Sequence, residues 1–274
     1  MKLISICPSS TEFLAYLGLT DSIVAVDDFS DWPEGIKTLP RLGPDLSIDM
    51  DRLEAYKPDL VLASLSVPGM EKNVRALEER RIPHIVVPDP ENLAGISGII
   101  RFVAGKTGVS QKGDLLAEAY DNTLSQYKEI SRSIASKKSI YWEWWPKPVF
   151  TPGRKNWLTE LSEVAGGRNV FAEKDVKSVQ TDWETVRNYN PDIIALVWTG
   201  VRQERINLKT VERRPGWGGM KALRNNQIHV LDEPLYCRPS PRLLEGLVKL
   251  SAILHPDAYP LYTGEDPLLY SCRG

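Results

Sequence analysis

Residues able to do chemistry are scattered through this sequence in patterns that do not close on a reaction centre. Gly105-Lys106-Thr107 looks like the end of a phosphate-binding loop, but that loop needs a glycine five residues before its second glycine, and position 100 is Ile. There is no G-x-S-x-G elbow, and Gly166-Gly167-Arg168 lacks the spacing of a dinucleotide fingerprint. His84, His229 and His255 stand far apart, with no Cys or His at metal-ligand spacing, which predicts structural roles for them. Among the carboxylates, Glu143 at a strand end is the candidate acid or base. The more distinctive chemistry is aromatic: 8 Trp stand beside only 5 Phe, a bias toward large flat rings that stack and carry an N–H donor.

The elements that position these rings repeat. Tyr56-Lys57-Pro58-Asp59-Leu60-Val61-Leu62 is echoed by Tyr189-Asn190-Pro191-Asp192-Ile193-Ile194-Ala195. Each copy follows a short helical pattern (51–55 and 183–187), breaks at Pro and enters an apolar run, the signature of helix, turn and buried parallel strand. Each is followed by a helix (71–80 and 220–224) and a further strand (82–87 and 227–231), so the pattern predicts a duplication. Each half also opens alike, with strand 3–6 and strand 139–144 each leading into a helix. Alternating strands and helices predict an α/β fold of two doubly wound parallel-sheet lobes, Rossmann-like. Between them, Leu116, Tyr120, Leu124, Tyr127, Ile130 and Ile134 share one face of a helix over 110–136 that Ser110 can cap. It either joins the lobes or lies on the surface of one. The expected division is an N-terminal lobe over 1–108, a bridging helix over 109–137, a C-terminal lobe over 138–256 and a tail over 257–274.

Doubly wound sheets bind ligands beyond the carboxyl ends of their strands, so two facing lobes make a cleft lined by post-strand loops. In the first lobe these places hold Ser9 and Ser10 at a helix start, Asp31 and Trp32, Gly43, and Ser64. In the second they hold Trp142, Trp144 and Trp145, then Trp198, then Tyr236 and Arg238. Trp32, Trp144 and Trp198 sit beside Pro, Gly or Thr and are expected in the cleft. Trp142 lies deeper and could face either core or cleft, whereas Trp157 and Trp183 read as core.

Composition narrows the field. With 34 Lys+Arg against 36 Asp+Glu, the net charge is −2, and no basic run marks a nucleic-acid surface. Cys7, Cys237 and Cys272 are too few for a disulfide framework in 274 residues. No stretch approaches the roughly 20 apolar residues of a membrane span, so no membrane insertion is expected. Met1 stands directly ahead of the first strand with no apolar leader, so the chain as written reads as cytoplasmic; the alternative is an extracytoplasmic protein whose leader has been removed.

Ile4-Ser5-Ile6-Cys7-Pro8-Ser9-Ser10-Thr11-Glu12, Leu17-Gly18-Leu19, Phe29-Ser30-Asp31-Trp32-Pro33 and Lys57-Pro58-Asp59-Leu60-Val61 follow one another in order. So do Phe150-Thr151-Pro152-Gly153, Ala165-Gly166-Gly167-Arg168-Asn169-Val170-Phe171 and Ser240-Pro241-Arg242. With these motifs the chain resembles the cobalamin and iron-siderophore class of substrate-binding proteins of ABC transporters, most closely the cobalamin-binding branch. The resemblance implies a ligand held between two α/β lobes bridged by a rigid helix, with modest closure. It also implies a carboxylate on top of each lobe that docks to a permease, at Glu71 and, in the second lobe, Glu204. One departure is Ser64, where the cobalamin transport protein carries an aromatic.

The expectation is therefore a non-catalytic, monomeric protein that binds a corrinoid in its cleft and requires no cofactor or metal ligand of its own, with an ABC permease as the candidate partner. A ferric siderophore or haem is the alternative ligand; an acidic siderophore would call on Arg41, Arg154 and Arg238. Two other classes stand beside it: an enzyme on a cofactor precursor that uses Glu143, and an interaction module that leaves the cleft empty.

Overall fold

The computed structural model describes residues 1–271. The chain runs β1 (Leu3–Ser5), α1 (Pro8–Tyr16), β2 (Ile23–Val26), α2 (Met50–Ala55), β3 (Leu60–Ser64), α3 (Glu71–Glu79), β4 (His84–Val87) and α4 (Gly95–Lys106), then the long α5 (Ser110–Ser133). The second half runs β5 (Lys138–Glu143), β6 (Trp145–Pro146), β7 (Val149–Pro152), α6 (Trp157–Val164), β8 (Gly167–Asn169), β9 (Ser178–Thr181) and α7 (Trp183–Tyr189). It ends with β10 (Ile193–Leu196), α8 (Leu208–Glu212), α9 (Lys221–Arg224), β11 (Ile228–Val230), α10 (Leu243–Leu254) and α11 (Pro267–Ser271).

The two halves share a topology. The first sheet is ordered β2-β1-β3-β4 and the second β8-β5-β10-β11, all strands parallel. The Tyr-x-Pro-Asp repeat explains part of that likeness. Lys57 and Asn190 both adopt left-handed backbone, φ 50° and 46°, where each chain turns out of its helix. The Asp then locks the strand to the start of the lobe: the Lys2 N–H donates to Asp59 Oδ2 and the Asp59 N–H to the Lys2 carbonyl. In the second lobe the Ser139 N–H and hydroxyl donate to Asp192 Oδ2 and the Asp192 N–H to the Ser139 carbonyl.

Strand alternation builds three cores out of two sheets. Leu3 and Leu62 face one side of the first sheet, while Ile4, Val61 and Ala63 face the other, where α2 and α3 cover them. In the second sheet Ile140, Trp142, Ile193 and Ala195 face one side, and Tyr141, Ile194 and Leu196 the other. The inner faces of both sheets belong to one continuous cluster with α1, α4, α5, α6 and α10. At about 1.5 Å per residue, α5 spans about 36 Å, long enough to run beneath both sheets, and it buries Leu116, Tyr120, Leu124 and Tyr127 in that cluster. At Gly113 the helix comes so close to α4 that a Cβ would sit 2.2 Å from that of Ala104.

Two details differ from the sequence reading. Ser110 is the first helical residue rather than the cap; Val109 takes the cap position, without a side-chain hydrogen bond. The stretch after β5, read as a loop, forms an antiparallel sheet β6-β7-β9. The tail packs: Leu268 is buried and the Tyr16 hydroxyl donates to Asp266. Cys272 lies outside the described residues. The three histidines take structural roles, each ring bonded to a neighbouring carbonyl or, for His229, to the Gln227 amide.

Two expectations follow. Seven of the 8 tryptophans lie in the second half, yet the shared core should make urea unfolding followed by Trp fluorescence coincide with unfolding followed by far-ultraviolet circular dichroism. Two separated transitions would mean that the lobes fold independently. Burial alone would raise the Asp192 carboxyl, but the Ser139 donors and Lys221 outweigh it and hold it below the ordinary carboxylate range. Losing the Ser139 hydrogen bonds, weakened by partial solvent exposure of the carboxylate, Asp192→Ala should cost about 1 kcal/mol at pH 7. That stabilisation exists above the unfolded-state value, so the gap from wild type should close as pH falls below about 4.

Candidate functional site: the cleft between the lobes

Loops at the carboxyl ends of the strands of both sheets enclose a cavity of about 940 Å³. From the first lobe come Cys7, Pro8 and Ser9 after β1, the Asp28–Asp31 loop after β2, and Ser66 to Met70 after β3. The second lobe adds Thr199 to Glu204 after β10 and Asp232 to Pro239 after β11. Doubly wound sheets place ligands at this edge, because helix starts and unpaired loop backbone converge there.

The Asp28–Asp31 loop is held from within. Asp27 is buried and accepts from the Phe29 and Ser30 N–H groups, and Arg41 donates to the carbonyls of Asp27 and Ser30. Burial pushes the Asp27 carboxyl up to about 6, against the pull of those donors. Gly43, at φ 98°, a conformation that suits glycine, accepts the Asp28 N–H and donates its own to Asp28 Oδ1. Phe29 is thereby presented outward, 52% exposed, and is the aromatic residue on the cavity wall.

At the back of the cleft an ion cluster joins the lobes. Arg238 Nη1 donates to Glu12 Oε1 at 2.9 Å and Asp31 Oδ1 at 2.6 Å, and Arg242 Nη1 lies 3.4 Å from Glu12 Oε1. The Ser240 hydroxyl donates to the other Glu12 oxygen. Burial opposes charge on Arg238, but Glu12, Asp31 and Glu233 together hold its guanidinium above its ordinary range. Burial likewise pushes the Cys7 and Cys237 thiols up, so at neutral pH both face the cavity as weakly polar S–H groups and not as nucleophiles. Among the described residues no group of three or more His, Cys, Asp or Glu is placed to hold a metal ion.

Of the residues picked out by sequence, Ser9, Asp31, Arg238 and Glu204 line this cavity. Glu204, expected on top of the second lobe, stands exposed at the cleft rim. Gly43 and Ser64 act one step back: Ser64 Oγ bonds the N–H and hydroxyl of Ser66, which does line the cavity. Ser10 is buried within α1.

The tryptophans are placed elsewhere. Trp142 is fully buried, its N–H on Ser162, because it shares the inward parity of Ile140; Trp144 continues that parity and packs on the same core. Trp32 leans on Tyr16, with ring centroids 5.0 Å apart, beneath the Arg242 guanidinium. Trp198 packs on the outer core with its N–H on Glu143, Trp145 sits in the antiparallel sheet, and Tyr236 is buried with its hydroxyl on the Gly246 carbonyl.

Glu143 is sealed. Arg214 clasps both its oxygens at 2.6 and 2.8 Å, Tyr141 and Trp198 donate to the same carboxylate, and the guanidinium lies between the Trp183 and Trp217 rings. Having no access to solvent or cleft, it is not placed to act as an acid or base. Arg41 is committed to carbonyls and Arg154 to Asp175 at the surface, which leaves Arg238 alone of the three arginines in the cavity. Sequence reasoning passed over Asp28, Asp45, Asp232 and Glu233, although the last two directly follow the predicted strand over 227–231.

Comparison with known proteins follows this geometry. The chain is 28% identical over 262 residues to an ABC transporter substrate-binding lipoprotein of Bacillus subtilis, covering 94% of this chain and 81% of that one. It is 27% identical over 249 residues to a vitamin B12-binding protein of Vibrio campbellii, covering 91% and 87%. A periplasmic haem-binding protein of Pseudomonas aeruginosa superposes with a TM-score of 0.84 at 20% identity, covering 96% and 95%. The model of the periplasmic binding protein family matches residues 3–235, so the chain belongs to that family, the substrate-binding proteins of ABC transporters that its motifs resemble.

Proposed function

We propose that this chain binds a corrinoid of the cobalamin type in the cleft and presents it to the permease of an ABC uptake system. It does so as a monomer, without catalysis and without a cofactor of its own. The observation that carries this reading is the cavity of about 940 Å³ walled by post-strand loops of both lobes. That volume is at the upper end of small-molecule sites, which run to about 1,000 Å³, and suits a large ligand. The vitamin B12-binding relatives support the corrinoid. Relatives named as a lipoprotein or as periplasmic support work outside the cytoplasm, in place of the cytoplasmic reading.

Haem is the second reading, favoured by the likeness in fold to the Pseudomonas aeruginosa haem-binding protein. For the permease, Glu71 is exposed at the start of α3, its carboxylate accepting the Gly69 N–H; backbone donors hold it below the ordinary carboxylate range, so it is an anion ready for an arginine partner. Glu204 at the cleft rim is the candidate on the second lobe.

Calorimetric titration with cyanocobalamin should show saturable binding near one per chain, weakened about tenfold by Phe29→Ala through loss of a stacking face. Trp32→Ala should instead lower stability and leave affinity nearly unchanged. No binding of either cyanocobalamin or cobinamide would sink the corrinoid. Glu143→Gln should leave cleft binding intact and cost about 3 kcal/mol in urea unfolding, because it leaves the buried Arg214 charge poorly matched.

A further inference from the structure

The walls of the cleft are unevenly charged. Asp28, Asp31, Asp45, Glu204, Asp232 and Glu233 line it, three from each lobe, against Lys37, Arg202 and Arg238. The Arg238 charge is already matched by Glu12 and Asp31, and Lys37 is paired with Glu34. Asp28, Asp45, Asp232 and Glu204 have no ion-pair partner among the described residues; backbone N–H groups reach two of them, Gly43 on Asp28 and Leu46 on Asp45. Four carboxylates thus face one cavity from opposite walls, with Arg202 as the one unpaired cation among the described lining residues.

We propose that the cleft selects a ligand with net positive charge, a rim of hydrogen-bond donors such as primary amides, and no free carboxylate or phosphate. This rests on the reading of the cleft as the ligand site and names the class of ligand it takes. A cavity with low-dielectric walls focuses the field of its charges, so a cation is drawn in and an anion is opposed. The same charges couple binding to closure. Drawing the lobes together while empty brings like charges nearer, and a cation between them turns that repulsion into attraction from both walls. Haem would place two propionates among these carboxylates with Lys37 and Arg202 as the remaining cations. A cationic corrinoid without the nucleotide phosphate fits the charge, and so does a cationic ferric trihydroxamate.

Four probes separate these cases by calorimetry at low and high salt: aquacyanocobinamide (a cationic corrinoid), cyanocobalamin (the same ring with a phosphate and no net charge), a cationic ferric trihydroxamate, and haem. The expected result is that aquacyanocobinamide binds more tightly than cyanocobalamin and loses affinity as salt rises. An Asp45→Asn/Asp232→Asn double variant should weaken the cation by roughly threefold to tenfold per carboxylate and the neutral corrinoid far less. Equal affinities for the two corrinoids, insensitive to salt and to the double variant, would overturn the charge selection while leaving the corrinoid reading intact. Binding of the trihydroxamate without either corrinoid would uphold charge selection and remove the corrinoid. Haem as the tightest ligand would overturn both.

Discussion

One buried surface governs this molecule: the inner faces of the two sheets are packed into a single apolar cluster along α5. Close-packed interiors resist deformation, because a small shift costs contacts over many side chains at once. Two lobes that share a core in this way cannot swing apart as on a flexible linker; they can only tilt slightly about it. The separation of their loop-bearing edges is therefore fixed by the helix and its packing, including the Gly113–Ala104 approach where no larger residue fits. The cleft is the space left over when two parallel sheets are set side by side on one core.

The ion cluster around Glu12 acts on that geometry from the other end. Glu12 and Asp31 belong to the first lobe, whereas Arg238 and Arg242 belong to the second, and their bonds span the back of the cleft. A buried pair gains little net stability, since desolvation cancels much of the attraction, but its directional bonds are expensive to break singly. Its consequence is register: it pins the loop carrying Phe29 against the loop carrying Glu233, so the two walls face each other at a set offset. Glu160 does similar work beneath, accepting the Leu93 N–H from the first lobe and pairing with Lys128 on α5.

Much of the fold was legible because it rests on local rules that repeat. The Tyr-x-Pro-Asp copies carry a left-handed residue, a strand start and an Asp that ties the strand to the lobe's first strand, and each piece has a sequence cost or preference that leaves a trace. The site was less legible, and the tryptophans show why. Aromatic residues at strand ends were read by their distance along the chain, but parity decides which way they point. Trp142 and Trp144 share the parity of Ile140, which faces the core, and Trp198 shares that of Leu196. Period 2 was visible in the sequence; which face was inside was not, since both faces of a parallel sheet are apolar.

The cleft's acidic residues escaped notice for a different reason. A single Asp in a loop is what any solvated turn displays, and Asp28, Asp45, Asp232 and Glu204 are far apart in sequence. Their meaning arises only when two sheets of the same topology are set edge to edge, so that the turns after β2, β10 and β11 share one volume with the segment before α2. The shared topology explains how this comes about. The strands and their Asp locks meet the same packing constraint in both lobes and are alike. The loops carry no such constraint and differ, one lobe presenting Phe29 and the other an antiparallel sheet with its own Arg214–Glu143 pair. Chemistry accumulates where the scaffold leaves the chain free, and in this protein what has accumulated there is negative charge on both walls of a cavity whose width the core holds within the range of a slight tilt.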